Sequence, residues 1–168
     1  MKNSVINQRI TANLWFDRNA EEAVNFYTSI FKNSTIKGIT YYTDEGFDIH
    51  QMPEGTVMTI VFELDGQEFL ALNGGPVFKF NEAVSFVVNC SDQEEIDYYW
   101  EKLGAGGDPK AQMCGWLKDQ FGLSWQIVPT ILSELIANKD QEKTSRVMAA
   151  VMQMKKIDVS VLEKAFAN

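Results

Sequence analysis

NLWFDRNAEEAVNFYTSIF, residues 13–31, and SFVVNCSDQEEIDYYWEKL, residues 85–103, align at a constant offset without a gap. Few letters are shared, but the physical pattern is. Each opens with alternating apolar residues that suit a strand, crosses a short polar break, and continues with apolar residues at the three- and four-residue spacing of a helix. Val24 falls on Ile96, Tyr27 on Tyr99 and Phe31 on Leu103. The breaks also correspond: Asn19 with Glu22 and Ser91 with Glu94 each read as an N-cap with a carboxylate three residues on.

Working outward from the first copy, residues 36–43 are β-branched and aromatic and read as a strand, and residues 44–55 form a polar loop that carries the sole histidine, His50. Residues 57–64 and 68–72 read as two strands joined by Asp65-Gly66, a strong hairpin signal. Asn73-Gly74-Gly75-Pro76 breaks the pattern. Beyond the second copy, residues 104–109 lead into residues 111–117 and then into GWLKDQFGLSWQIVP, residues 115–129. That stretch reads as two apolar runs about the polar turn 118–122, closed by Pro129, which cannot donate to a ladder. Each half therefore reads strand, helix, then two or three antiparallel strands.

The expected fold class is α+β: two tandem βαβββ modules forming a curved sheet around a cleft, plus C-terminal helices. The modules span residues 1–76 and 77–129 and the helical extension residues 130–168, all within one structural domain. A sheet must cover both faces, and the helix covers only one. Leu14 and Phe16, with Phe86 and Val88, are the larger apolar pairs and belong under the helices. Asn13 and Trp15, with Ser85 and Val87, then take the other face, together with Gln126, the one amide on the last strand. In the extension, Ile131, Leu132, Leu135 and Ile136 make one helical stripe and Val147, Val151 and Met154 another, with Met148 and Met152 beside it. Asp158 or Ser160 caps a terminal helix. The extension reads as a helical cover over the domain or a dimer mate, or, with its methionines, as a groove for a partner peptide.

At 168 residues and 45% hydrophobic, the chain can bury a substantial core. A net charge of −8 argues against nucleic acid or an anionic membrane as partner. Residues 1–9 lack the apolar core and cleavage pattern of a leader, and no run reaches the length of a membrane span, so the expected location is cytoplasmic. Cys90 and Cys114 read as free thiols in that setting.

Three stretches, ITANLWFDRNAEEAVNFY (10–27), VMTIVFELDGQEFLALNGGP (57–76) and QMCGWLKDQFGLSWQIVP (112–129), resemble the vicinal oxygen chelate superfamily, which includes glyoxalase, bleomycin-resistance and extradiol dioxygenase proteins. Within it they resemble the PhnB-like branch, also called 3-demethylubiquinone-9 3-methyltransferase-like. The tail RVMAAVMQMKKIDVSVLEKAF (146–166) resembles the C-terminal extension of these proteins. The resemblance implies paired βαβββ modules, a cleft and a homodimer. Metal enzymes of that superfamily carry ligands on the first and last strands of each half; here the first strands offer Thr11, Asn13, Ala83 and Ser85, and Gln126 falls where relatives carry a ligating carboxylate. No metal and no cofactor is expected. Gly104-Ala105-Gly106-Gly107 leaves a helix and enters a strand, the reverse of a cofactor-binding turn, and reads as a helix C-cap.

The candidate ligand-binding residues are Asn13, Trp15, Asn73, Ser85, Cys114, Trp116 and Gln126. Trp116 stands open, whereas strand alternation sends Trp125 to the core, where its N–H must find an acceptor. Glu63, Asp65 and Glu68 surround a hairpin and read as solvated charge. The leading expectation is a metal-independent homodimer that binds a small neutral or hydrophobic molecule. The alternatives are an enzyme, either a methyltransferase or a metal-assisted lyase or dioxygenase, and a protein that sequesters a drug.

Overall fold

A computed structural model describes residues 8–167. The reading of residues 1–7 as free of a leader lies outside the described residues. The order of elements is β1 (Ala12–Phe16), α1 (Ala20–Ile30), β2 (Thr35–Tyr41), α2 (Phe47–His50), β3 (Val57–Leu64), β4 (Gln67–Asn73), β5 (Ser85–Cys90), α3 (Gln93–Gly104), β6 (Trp116–Lys118), β7 (Ser124–Pro129), α4 (Thr130–Ile136), α5 (Gln141–Val151) and α6 (Val159–Ala167). Two units divide the chain, one ending at Lys79 and the other starting at Phe80. Among the described residues no helix is long and apolar enough to cross a membrane.

In the first unit the strand order is β1-β4-β3-β2. β1 runs parallel to β4, with Asn13 opposite Leu70 and Trp15 opposite Leu72, while β3 and β4 form an antiparallel hairpin. The two residues of that hairpin, Asp65 and Gly66, have φ of 46° and 81°. Positive φ at both positions is the type I′ turn that suits the twist of the flanking strands. Leu14 and Phe16 are buried and α1 contributes Ala20, Ala23, Val24, Tyr27 and Ile30 to the same core. Phe62 and Phe69, cross-strand partners, stack with ring centroids 5.5 Å apart.

The second unit repeats this plan with one strand fewer. Its order is β5-β7-β6, with β5 parallel to β7 as β1 is to β4. After α3, where the first unit has β2, residues Pro109–Ala111 make a single 3-10 turn. Asp108 caps that turn, accepting from the N–H of Lys110 at 2.9 Å, and Pro109 sits at its first position, where no N–H is needed. A further two-residue turn, Cys114-Gly115 with φ of 52° and 84°, joins Met113 to Trp116, whose backbones exchange hydrogen bonds of 3.1 and 2.8 Å.

The helix caps differ from the sequence expectation. Asn19 makes no side-chain cap to α1, so its pairing with Glu22 does not form. The N–H of Ala20 donates instead to Asn73 Oδ1 at 2.9 Å, from the end of β4. In the second unit the cap moves one residue along: Asp92, not Ser91, accepts from the N–H of Glu95 at 2.9 Å. The Glu95 carboxylate, not that of Glu94, reaches back to the N–H of Ser91 at 2.8 Å. The reciprocal logic of a capping box is kept, but its residues are displaced.

The extension packs within the second unit. Leu135, Val147, Val151, Ile157 and Leu162 form a buried cluster, with Cys114 and Met154 packed against it. Asp158 caps α6, accepting from the N–H of Val161 at 3.2 Å. The segment before α6 is laced to the body of the unit: Met154 and Lys155 carbonyls accept from the N–H groups of Cys114 and Gly115 at 2.8 and 2.7 Å. The Gln93 side chain brackets the same segment, donating to the Ile157 carbonyl at 3.1 Å and accepting from the N–H of Val159 at 2.9 Å.

Candidate functional site

Strand alternation gives each sheet one face under its helix and one face away from it. On the second sheet, Val88, Cys90, Trp125, Ile127 and Leu117 are buried. The residues between them, Ser85, Val87, Gln126 and Trp116, occupy the other face. Register places Gln126 directly opposite Val87 on one side and Trp116 on the other, so the three form a row across all three strands. Ser85, Gln126 and Trp116 are half-buried, and Val87 is 49% exposed. Gln126 Nε2 donates to Ser85 Oγ at 2.9 Å.

Two tryptophans nine residues apart in the sequence play opposite parts here. Trp125 is buried, and its indole N–H donates to Asp119 Oδ2 at 2.8 Å. Asp119 Oδ1 accepts from the N–H groups of Phe121 and Leu123 at 2.8 and 3.0 Å. One carboxylate thus satisfies the hairpin turn and the core tryptophan together, a role the sequence reading of a plain polar turn missed. Trp116 has no such acceptor: its indole N–H makes no hydrogen bond among the described residues, and it stands half-exposed beside Gln126.

On the first sheet the corresponding face carries Asn13 and Trp15, exposed and half-buried. The Trp15 indole N–H donates to the Gly75 carbonyl at 2.8 Å, and its ring meets Phe78 edge-on at 4.9 Å. Gly74 is required beneath it: a Cβ there would lie 2.3 Å from the indole. Glu68 also differs from its reading as solvated charge, being 1% exposed. Lys37 donates to it at 3.3 Å and pairs with Glu63 as well. Glu63 is the main cause that holds the Lys37 ammonium above its usual range, with burial opposing it and Glu68 assisting.

Two candidate residues lie elsewhere. Asn73 sits opposite Phe16, on the helix side of its sheet, and is 1% exposed. Its Oδ1 caps α1, its Nδ2 donates to the Val57 carbonyl at 3.0 Å, and its own carbonyl accepts from the Tyr42 hydroxyl at 2.6 Å. Cys114 lies in the turn before β6, against the helical cluster, with Sγ 3.8 Å from Met152 Sδ. Both cysteines are free. Burial, with Glu95 and Asp92 nearby, pushes the Cys90 thiol up to about 12, which removes it as a nucleophile. His50 is engaged in its own loop: Nδ1 accepts from the N–H of Met52 at 3.0 Å and Nε2 lies 3.1 Å from the Glu45 carbonyl.

The family model described as 3-demethylubiquinone-9 3-methyltransferase matches residues 8–128. The chain belongs to that family. A solved member, the PhnB protein from Bacillus cereus that carries the same methyltransferase description, is 38% identical, with a TM-score of 0.62. The match covers 73% of this chain and 100% of that one. The family model stops before α4, so the resemblance of the tail rests on its sequence alone. The fosfomycin resistance protein FosX from Mesorhizobium loti shares the fold at 14% identity and a TM-score of 0.53, covering 79% of this chain and 99% of that one. FosX from Listeria monocytogenes, solved with Mn(II) and sulfate, does so at 15% identity and a TM-score of 0.51, covering 79% and 97%. The fold is therefore glyoxalase-like. No curated protein matches the sequence.

Two groups suggested by these names can be tested against the residues. For a transition metal, β1, β5 and β7 offer Asn13, Ser85 and Gln126, and the expected positions Thr11 and Ala83 lie just before β1 and β5; these are hydroxyls, neutral amides and a methyl, weak or useless donors for such an ion. Among the described residues no three His, Cys, Asp or Glu side chains gather as a set that could hold one. For S-adenosylmethionine, the glycine cluster after α3 is already explained by the chain. Gly106 has φ of 74°, and a Cβ on Gly107 would lie 2.0 Å from the Lys118 carbonyl, so protein backbone fills that space. The positions tested thus give a transition metal no strong donor set, and the glycine cluster gives S-adenosylmethionine no open turn.

Proposed function

We propose that this family member binds a small neutral molecule on the open face of its second sheet, as a homodimer and without a metal. The observation that carries the reading is the row Val87–Gln126–Trp116. It sets an aromatic ring, an amide with unused hydrogen-bonding capacity and an apolar residue side by side, part-exposed, on a sheet whose other face is packed. On the first sheet, Asn13 and Trp15 hold the places that Ser85 and Val87 hold on the second. Asn73 and Cys114 have structural work and are left out of this site. The acidic net charge favours a ligand without strong negative charge.

Native mass spectrometry of the full chain tests the reading. The expected spectrum is a dimer that takes up small neutral aromatic compounds, with uptake of those that hydrogen-bond weakened about tenfold in Gln126→Leu while the circular dichroism spectrum is unchanged. Gln126 makes its one side-chain bond to a half-buried serine, so the substitution should cost under about 1 kcal/mol in stability. A stoichiometric transition metal in the spectrum, or uptake that ignores Gln126, would contradict the proposal.

A further inference from the structure

We infer that the ligand of this face is an uncharged planar ring bearing an N–H or O–H donor next to a carbonyl acceptor, the edge presented by lactams and hydroxy-carbonyl rings. The inference rests on the proposed function and specifies its ligand class.

The argument starts from what Gln126 and its neighbours leave unused. A primary amide has two N–H donors and an oxygen with two lone pairs. One N–H is given to Ser85 Oγ, and Oε1 makes no hydrogen bond among the described residues. The Ser85 hydroxyl, having accepted, still has its own proton to give. Across the ladder, the Trp116 indole N–H is likewise uncommitted, in contrast to those of Trp125 and Trp15. The face therefore offers donors and an acceptor on Gln126, on its cross-strand neighbour Trp116, with Cβ atoms about 5 Å apart, and on its diagonal neighbour Ser85. A ligand that covered these half-buried groups without answering them would strand each one, at about 1–3 kcal/mol per group.

Charge narrows the class further. No ionisable side chain stands in the row Val87–Gln126–Trp116, and the charged residue next along β6, Lys118, is paired with Glu82. An ion would find no counter-charge to offset its desolvation. A purely apolar ring would leave the amide unanswered. A ring with adjacent donor and acceptor satisfies Gln126 in both senses while its face lies against the Trp116 indole, where stacking adds to the burial.

The test uses the full chain and three probes: 2-quinolone, its N-methyl derivative, which lacks the donor, and naphthalene, which lacks both groups. Affinities come from quenching of tryptophan fluorescence in the wild type, Gln126→Leu and Ser85→Ala. The expected result is that 2-quinolone binds about tenfold more tightly than either analogue, the worth of one hydrogen bond to a desolvated partner. That preference should shrink to about unity in Gln126→Leu, which separates the hydrogen bond from the bulk of the methyl group. Ser85→Ala should keep part of it. Equal binding of all three probes would overturn the inferred edge and leave the small-molecule reading standing. No binding by any probe would overturn both.

Discussion

Asp119→Ala is expected to lower stability by about 3–5 kcal/mol, because one buried carboxylate answers three donors and its loss strands them all. The residue is 3% exposed, and its two oxygens take the N–H groups of Phe121 and Leu123 and the indole N–H of Trp125. The bonds to Leu123 and Trp125 are buried and that to Phe121 is part-buried, so water replaces the carboxylate poorly. For a chain of this size the melting temperature should fall by about 10–15 °C. Asp119→Asn separates the parts. It keeps an oxygen for the turn but sets an amide N–H against the indole N–H of Trp125, or the reverse if the amide turns over. Its cost should lie between wild type and alanine, and the near-ultraviolet circular dichroism band of a buried tryptophan should weaken. A change under about 1 kcal/mol in Asp119→Ala would show that the hairpin holds itself.

Asn73→Ala comes second, at about 2–4 kcal/mol, the sum of a lost helix cap and a buried carbonyl left without its donor. Here the side chain ties three elements: it caps α1 through Ala20 and holds the start of β3 through Val57, from the end of β4. Asn73→Asp gives the sign of the effect. The introduced carboxyl can accept from Ala20 in either protonation state, but it can donate to the Val57 carbonyl only when protonated. Burial and that carbonyl raise its folded pKa above the unfolded value near 4. The folded state then holds the proton more tightly, so the variant's deficit should be smallest below that value and should grow as pH rises through the folded pKa. Thermal melts of wild type and variant across pH 4 to 8 read this directly. A deficit that does not change with pH would contradict the assigned donor.

These two residues also show how much could be read from the letters. The repeat was legible because it is written in local periodicity: alternation before Phe16 and Val88, helical spacing after them, and Asp65-Gly66 at the hairpin. Those signals need no knowledge of what lies across the sheet. Trp125 as core followed from alternation in the same way. The cap of α3 is local and displaced by one residue, since Ser91 and Asp92 are both good caps, whereas that of α1 is not legible locally because it comes from Asn73, whose 53-residue separation from Ala20 no local rule spans. Asp119 read as turn polarity for the same reason, since its indole partner is defined only once the turn closes. Glu68 read as solvated because the sequence does not say which hairpin charges are covered. The face bearing Ser85, Trp116 and Gln126 was legible as a set of positions. Its character, with one amide bond made and the indole N–H unmade, needed side-chain geometry.

The central claim is that the open face of the second sheet receives a ligand, and the four tryptophan indole N–H groups report on it separately. In a two-dimensional proton–nitrogen spectrum, titration with neutral lactam-bearing aromatic compounds should move the Trp116 indole resonance and the Gln126 side-chain amide pair. The Trp125 resonance, locked to Asp119, should stay in place. Compounds that bind while leaving Trp116 and Gln126 unmoved would contradict the account.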